Sequence, residues 1–79
     1  MFYIYAIKSI NRNYIYVGMT DNLSRRFNQH NTEKSRSTRF YAPFKIIHVE
    51  ESNNRIDARK KEKYLKSGAG KEFLKLKIN

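Results

Sequence analysis

The sequence predicts a small α+β fold in the order β-β-α-β-α-α, a mixed sheet, at least partly antiparallel, with helices packed on it. Three observations predict it. Two apolar, aromatic runs at residues 2–7 and 14–19 alternate with period two and are joined by a polar segment. A third run at residues 44–49 is rich in β-branched residues and follows Pro43. Between and after these runs lie stretches with helical spacing and side chains that cap helices.

The first run is apolar and aromatic throughout, with Phe2, Ile4 and Ala6 on one face and Tyr3, Tyr5 and Ile7 on the other. Such a strand is expected to be covered on both faces. Residues 9–13, with two asparagines, suit a hairpin connection. In the second run Tyr14, Tyr16 and Gly18 share one face, and Ile15, Val17 and Met19 the other. Thr20 or Asp21 is the expected cap of a helix ending near Asn31, on which Leu23, Phe27 and His30 form one stripe with Arg26 beside it. Residues 32–42 are polar, basic and aperiodic, as in a loop. Asn53 or Asn54 caps a second helix running to about Lys66. Gly68 and Gly70 are expected to break the chain before a short last helix at residues 71–76.

Seventy-nine residues are enough for one domain, read as spanning 1–79. Eleven aromatics, six Tyr and five Phe, can build a thin core, and with no cysteine it must stand without disulfides. The absence of cysteine also excludes thiolate-held zinc or iron–sulfur sites and fits a reducing compartment. Seventeen Lys and Arg against seven Asp and Glu give a net charge of +10, a field that attracts polyanions. Nucleic acid is the first partner to expect and an anionic membrane the second. The second fails because the basic helix lacks a broad apolar face. Met1 leads straight into strand-like sequence and the longest apolar stretch is residues 1–7, so neither a signal peptide nor a membrane span is expected. The expectation is a soluble, cytoplasmic protein.

Several residues depart from simple packing. Glu62 lies in register with Ala58, Leu65 and Ala69, on the stripe that should face the sheet. A carboxylate there is either paired, with Arg59 or Lys66 within reach, or bound to a cation in a cleft. His30 shares an apolar face, as a satisfied core histidine or as a reactive one. His48 alternates with Ile46 and reads as structural. Tyr5 and Tyr16 fall on the tyrosine-bearing faces of a hairpin, where aromatic pairs stabilise sheets. Gly18 marks a bulge or a close approach. Among the motifs that would indicate other chemistry, there is no Walker-type phosphate loop, no Ser/His/Asp or Cys/His pairing and no carboxylate cluster for two metals.

Tyr3-Ile4-Tyr5 followed after a ten-residue gap by Tyr16-Val17-Gly18 resembles the paired motif of the GIY-YIG nuclease superfamily, with Tyr3 in place of the first glycine, a change common in small members. The resemblance continues through residues 23–31, with Arg26 and His30 four apart, and through residues 58–66, which carry Glu62. It covers nearly the whole chain and is nearest the minimal, single-domain bacterial branch. It implies a three-stranded antiparallel sheet flanked by helices. It also implies metal-dependent hydrolysis of a DNA phosphodiester. Glu62 would hold one divalent cation, magnesium or manganese, and Arg26 the phosphate. Tyr5 or Tyr16 would be the base, with Tyr5 preferred, helped by positive charge from the metal and Arg26 and by His30 as proton acceptor. The family's asparagine after the glutamate helix has no counterpart in residues 68–78, and Asn79 lies too far along to match.

The reading is an endonuclease with weak sequence preference, acting on branched, flapped or damaged DNA in repair or recombination. It needs no small-molecule cofactor and leaves target choice to a protein partner. The competing reading is a non-catalytic basic module that binds nucleic acid and keeps the fold.

Overall fold

A computed structural model describes residues 1–32, 36 and 38–78. Its elements are β1 (Phe2–Ser9), β2 (Ile15–Thr20), α1 (Leu23–Asn31), a 3-10 turn at Arg39–Tyr41, β3 (Phe44–Ser52), α2 (Arg55–Lys66) and α3 (Gly68–Leu76). The strands form one sheet ordered β2-β1-β3, antiparallel at both pairings. The expected α+β architecture is therefore present, and its sheet is antiparallel throughout.

The alternation along β1 sorts its side chains between two cores. Ile4 and Ala6, with Val17 of β2, pack under Ala58 and Leu65 of α2 and Leu74 of α3. On the opposite face Tyr5 and Ile7 join Phe44, with Tyr14, Tyr16, Leu23, Phe27 and Tyr41 around them. β1 is the central strand, so both of its faces are covered and both of its edges are paired. This places Tyr5, 1% exposed, between the sheet and α1.

Several boundaries differ from expectation for identifiable reasons. β2 begins at Ile15, because the Tyr14 carbonyl is used to close the hairpin by accepting from Ser9 N at 2.9 Å. The strand then runs through Thr20, so neither Thr20 nor Asp21 caps α1. Asn22 does, its Oδ1 accepting from Arg25 N at 3.1 Å. Asn54 caps α2 in the same way, accepting from Asp57 N at 2.8 Å. β3 continues to Ser52, and a register shift opposite Ala6/Ile7 breaks its simple alternation. His48 there lies 2.8 Å from the Glu50 carboxylate and edge-on to Phe73, consistent with a packing role.

The glycines after α2 do not break the chain. Ser67 does, with extended backbone, and its Oγ accepts from Gly70 N at 3.2 Å to start α3 at Gly68. Gly70 lies against the Tyr64 carbonyl and the Leu65 backbone, where no side chain would fit. The glycine thus permits a close crossing of α2 and α3. Ala69 is exposed and does not extend the buried stripe of α2. Within the expected loop at 32–42, Tyr41 stacks on Tyr14 at 3.8 Å between ring centroids, and residues 33–35 and 37 lie outside the described residues, as does Asn79. Among the described residues no helix is long and apolar enough to cross a membrane.

Candidate active site

Hairpin pairing sets the two tyrosines diagonally rather than face to face. Tyr5 is opposite Gly18, and Tyr16 is opposite Ile7. Their rings are 6.2 Å apart and tilted by 41°. The gap is possible because Gly18 has no side chain. A Cβ there would stand 2.6 Å from the Tyr5 hydroxyl and 2.8 Å from a Tyr16 ring carbon. The close approach expected at this glycine is therefore made by the two phenol rings, not by another backbone. Gly18→Ala should cost roughly 1–3 kcal/mol, as overpacking usually does, because the Tyr5 ring is enclosed and cannot swing away. A thermal melt would read the loss directly.

α1 brings His30 to the same layer. The imidazole is fully buried, 5.8 Å from the Tyr5 ring and 4.8 Å from that of Tyr16. Tyr5 Oη lies 2.8 Å from His30 Nε2, and His30 Nδ1 lies 2.7 Å from Thr38 Oγ1. Donor and acceptor counting orients this chain. The Arg26 guanidinium beside Tyr5 can only donate. Among the described residues His30 Nε2 is thus the acceptor for the phenol proton. Tyr5 O–H donates to Nε2, which leaves the proton of the neutral ring on Nδ1, donating to Thr38.

Burial dominates the protonation of both groups. It pushes the Tyr5 phenol up to about 12, helped by the neighbouring Tyr16 and, more weakly, the Glu62 carboxylate, while Arg26 pulls the other way. Arg26 does favour the phenolate, as expected, but in the free protein loss of solvent outweighs it. Burial likewise lowers His30 to about 4, reinforced by the Arg26 charge. His30 is therefore neutral at pH 7 and able to accept a proton.

The same shift makes stability depend on pH. The unfolded chain binds a proton at His30 near pH 6.5, whereas the folded chain does so only near 4. Stability from this residue is therefore full above about pH 6.5 and is lost as pH falls through that window, by up to about 3 kcal/mol. Melts between pH 4 and 7 should show the decline, and His30→Asn should flatten it.

Glu62 comes from α2, the helix packed on the opposite face of the sheet. Its side chain is 14% exposed, 3.5 Å from Lys66 Nζ and 3.9 Å from Arg59 Nη1. Both expected ion pairs exist, but both are long and their cations are mostly solvated. Arg26 donates to Gln29 Oε1 at 3.1 Å, which steadies its guanidinium next to Tyr5. Tyr5, Tyr16, Arg26 and His30 thus share one layer, and Glu62 reaches Tyr5 through its charge. Thr38 was not predicted. It sits in an aperiodic stretch and nothing in the sequence marks it.

A divalent cation would find one suitable donor here. Among the described residues the Glu62 carboxylate accepts no hydrogen bond and is held only by two long ion pairs, which a cation can displace. A hard cation readily completes its shell with water and phosphate oxygens. No group of three or more His, Cys, Asp or Glu that could hold a metal exists among the described residues. The site therefore suits a loosely held ion rather than a caged one.

Comparison with known proteins agrees with this geometry. No curated protein matches the sequence. The chain is similar to the UPF0213 protein of Bacillus halodurans, known from a solution NMR structure, at 27% identity. The two superpose with a TM-score of 0.56 over 94% of this chain and 82% of the other. The family model of the GIY-YIG catalytic domain matches residues 1–75, almost the whole length. The chain belongs to the GIY-YIG family, a family of nuclease type.

Proposed function

We propose that residues 1–79 act as a single nuclease domain, a metal-dependent endonuclease that hydrolyses DNA phosphodiesters with weak sequence preference. The observation that carries this reading is the buried 2.8 Å bond from Tyr5 to a neutral His30 beside Arg26. A phenol so placed can take a proton from a water that reaches its oxygen while passing its own to His30 Nε2. That access must open when DNA binds, because Tyr5 is 1% exposed. The water oxygen forms the new bond to phosphorus, the ester oxygen leaves, and the imidazole ends protonated. An incoming phosphate lowers the cost of that last step, because its negative charge favours imidazolium.

Thr38 keeps Nδ1 protonated and so holds Nε2 open as the acceptor. Arg26, with its forked donors, is placed to hold the phosphate. Glu62 would hold magnesium or manganese, which when bound stabilises charge on the phosphate and on the leaving oxygen. Tyr16 supports the base. We take branched, flapped or damaged DNA as the substrate, a role in repair or recombination, a cytoplasmic location and a protein partner for target choice as parts of the same proposal. The +10 charge supports the DNA partner.

The test is incubation with linear, nicked, flapped and branched DNA, with magnesium or manganese and with a chelator. Cleavage that depends on the metal and ceases with chelator is the expected outcome. Binding to every form with no cleavage would instead assign the chain to the non-catalytic module.

A further inference from the structure

β2 is an edge strand, and its Val17 shares a core cluster with Leu74 of α3. Between β2 and α3 lies an open groove of about 530 Å³. Asn13, Tyr14 and Tyr16 line it on the hairpin side and Lys66, Lys71 and Lys75 on the helical side, together with the apolar Ile15, Val17 and Leu74. Lys71 and Lys75 stand one helical turn apart on α3, about 6 Å along the axis, so they address the same side. Among the described residues no carboxylate lines the groove, although Glu72 pairs with Lys75 at 3.4 Å from outside it.

Two residues are shared between the groove and the surroundings of the candidate active site. Tyr16 belongs to both, its ring 6.2 Å from that of Tyr5. Lys66 lines the groove and also reaches Glu62 at 3.5 Å. A line of cations leading away from one carboxylate and two phenols suits an extended polyanion that enters the site, and a small anion would not need its length. Lysine binds phosphate as a point charge without demanding base contacts, as expected of a surface with weak sequence preference.

We propose that this groove carries the phosphodiester backbone of the strand being cut, flanking the scissile phosphate. Lys66, Lys71 and Lys75 neutralise its phosphates, and Tyr16 marks where the strand passes into the site. The proposal rests on the nuclease reading and adds to it the path of the strand.

The experiment measures DNA affinity against salt without magnesium, so that cleavage plays no part. The wild-type slope of log K against log salt should be about −4 to −5 on duplex DNA. Replacing the groove lysines together (Lys66→Gln, Lys71→Gln and Lys75→Gln) should reduce its magnitude by about 2 to 3, at roughly 0.9 for each phosphate no longer neutralised. A charge-matched variant outside the groove, Lys45→Gln, Lys60→Gln and Lys77→Gln, should change it by less than about 1. All six positions are exposed, and Gln is a good helix former at the four that lie in α2 and α3. Lys45 lies in β3 and Lys77 caps α3, so a melt matching the wild type is required of each variant before the slopes are compared. Equal changes in the two variants would overturn the strand path and leave the nuclease reading standing. A flat salt response in the wild type would overturn the DNA reading itself.

Discussion

Tyr5→Phe should lower cleavage by two to four orders of magnitude while leaving DNA affinity unchanged. The substitution removes one oxygen and keeps the ring, so packing against Ile7 and Phe44 survives. What disappears is the group that takes the water proton and the bond that links it to His30. A positioned acid–base residue typically contributes 10²–10⁴ in rate. With its phenol at about 12 in the free protein, Tyr5 is ionised there in about one molecule in a hundred thousand at pH 7, so the phenolate is not preformed before DNA and metal bind. Proton transfer to His30 during the attack removes that restriction. His30 Nε2 would be left without a donor in the variant, which should cost about 1–3 kcal/mol of stability.

Tyr16→Phe is the necessary control. Tyr16 is only partly buried, and its hydroxyl makes no hydrogen bond to His30 among the described residues. Its loss should therefore reduce cleavage much less. The measurement is single-turnover cleavage at saturating DNA, with a melt on each protein. A large loss in Tyr16→Phe and a small one in Tyr5→Phe would exchange the two assignments.

The faces of the sheet were legible in the sequence because strand periodicity is local. Alternation in β1 and β2 was sufficient to put Tyr5, Tyr16 and Gly18 on one side and Ile4, Ala6 and Val17 on the other. Helical spacing likewise turned His30 inward with Phe27. The unread features depend on contacts between distant segments. Thr38 meets His30 only because the chain returns after α1, and its own neighbours in sequence show no period. Gly70 reads as a breaker until a second helix is seen crossing at Leu65. The register shift in β3 arises from pairing with β1, not from any residue within β3. The raised phenol of Tyr5 reflects burial, which charge counting along the chain does not contain. Lys71 and Lys75 look like an ordinary solvated helix face until the edge of β2 is set opposite them.

Glu62→Ala should separate chemistry from binding and from folding. If Glu62 is the metal donor, its loss should reduce cleavage at least about a hundredfold, some 3 kcal/mol in barrier. The rival reading makes Glu62 half of a structural ion pair. That reading predicts a marked loss of stability only if a buried cation is left behind. Neither cation is buried: the Arg59 and Lys66 side chains are 64% and 56% exposed, at 3.9 and 3.5 Å from the carboxylate. Pairs this long and this solvated contribute about 0–1 kcal/mol, and Ala favours a helix more than Glu does. The variant should therefore melt within about 1 kcal/mol of the wild type. DNA affinity should hold or rise slightly, because a negative charge leaves a positive surface beside Lys66. One melt, one binding curve and one cleavage assay on the same preparation decide the matter. Full activity in a stably folded Glu62→Ala protein would remove the metal from Glu62, and an activity loss that merely followed unfolding would return the residue to a structural role.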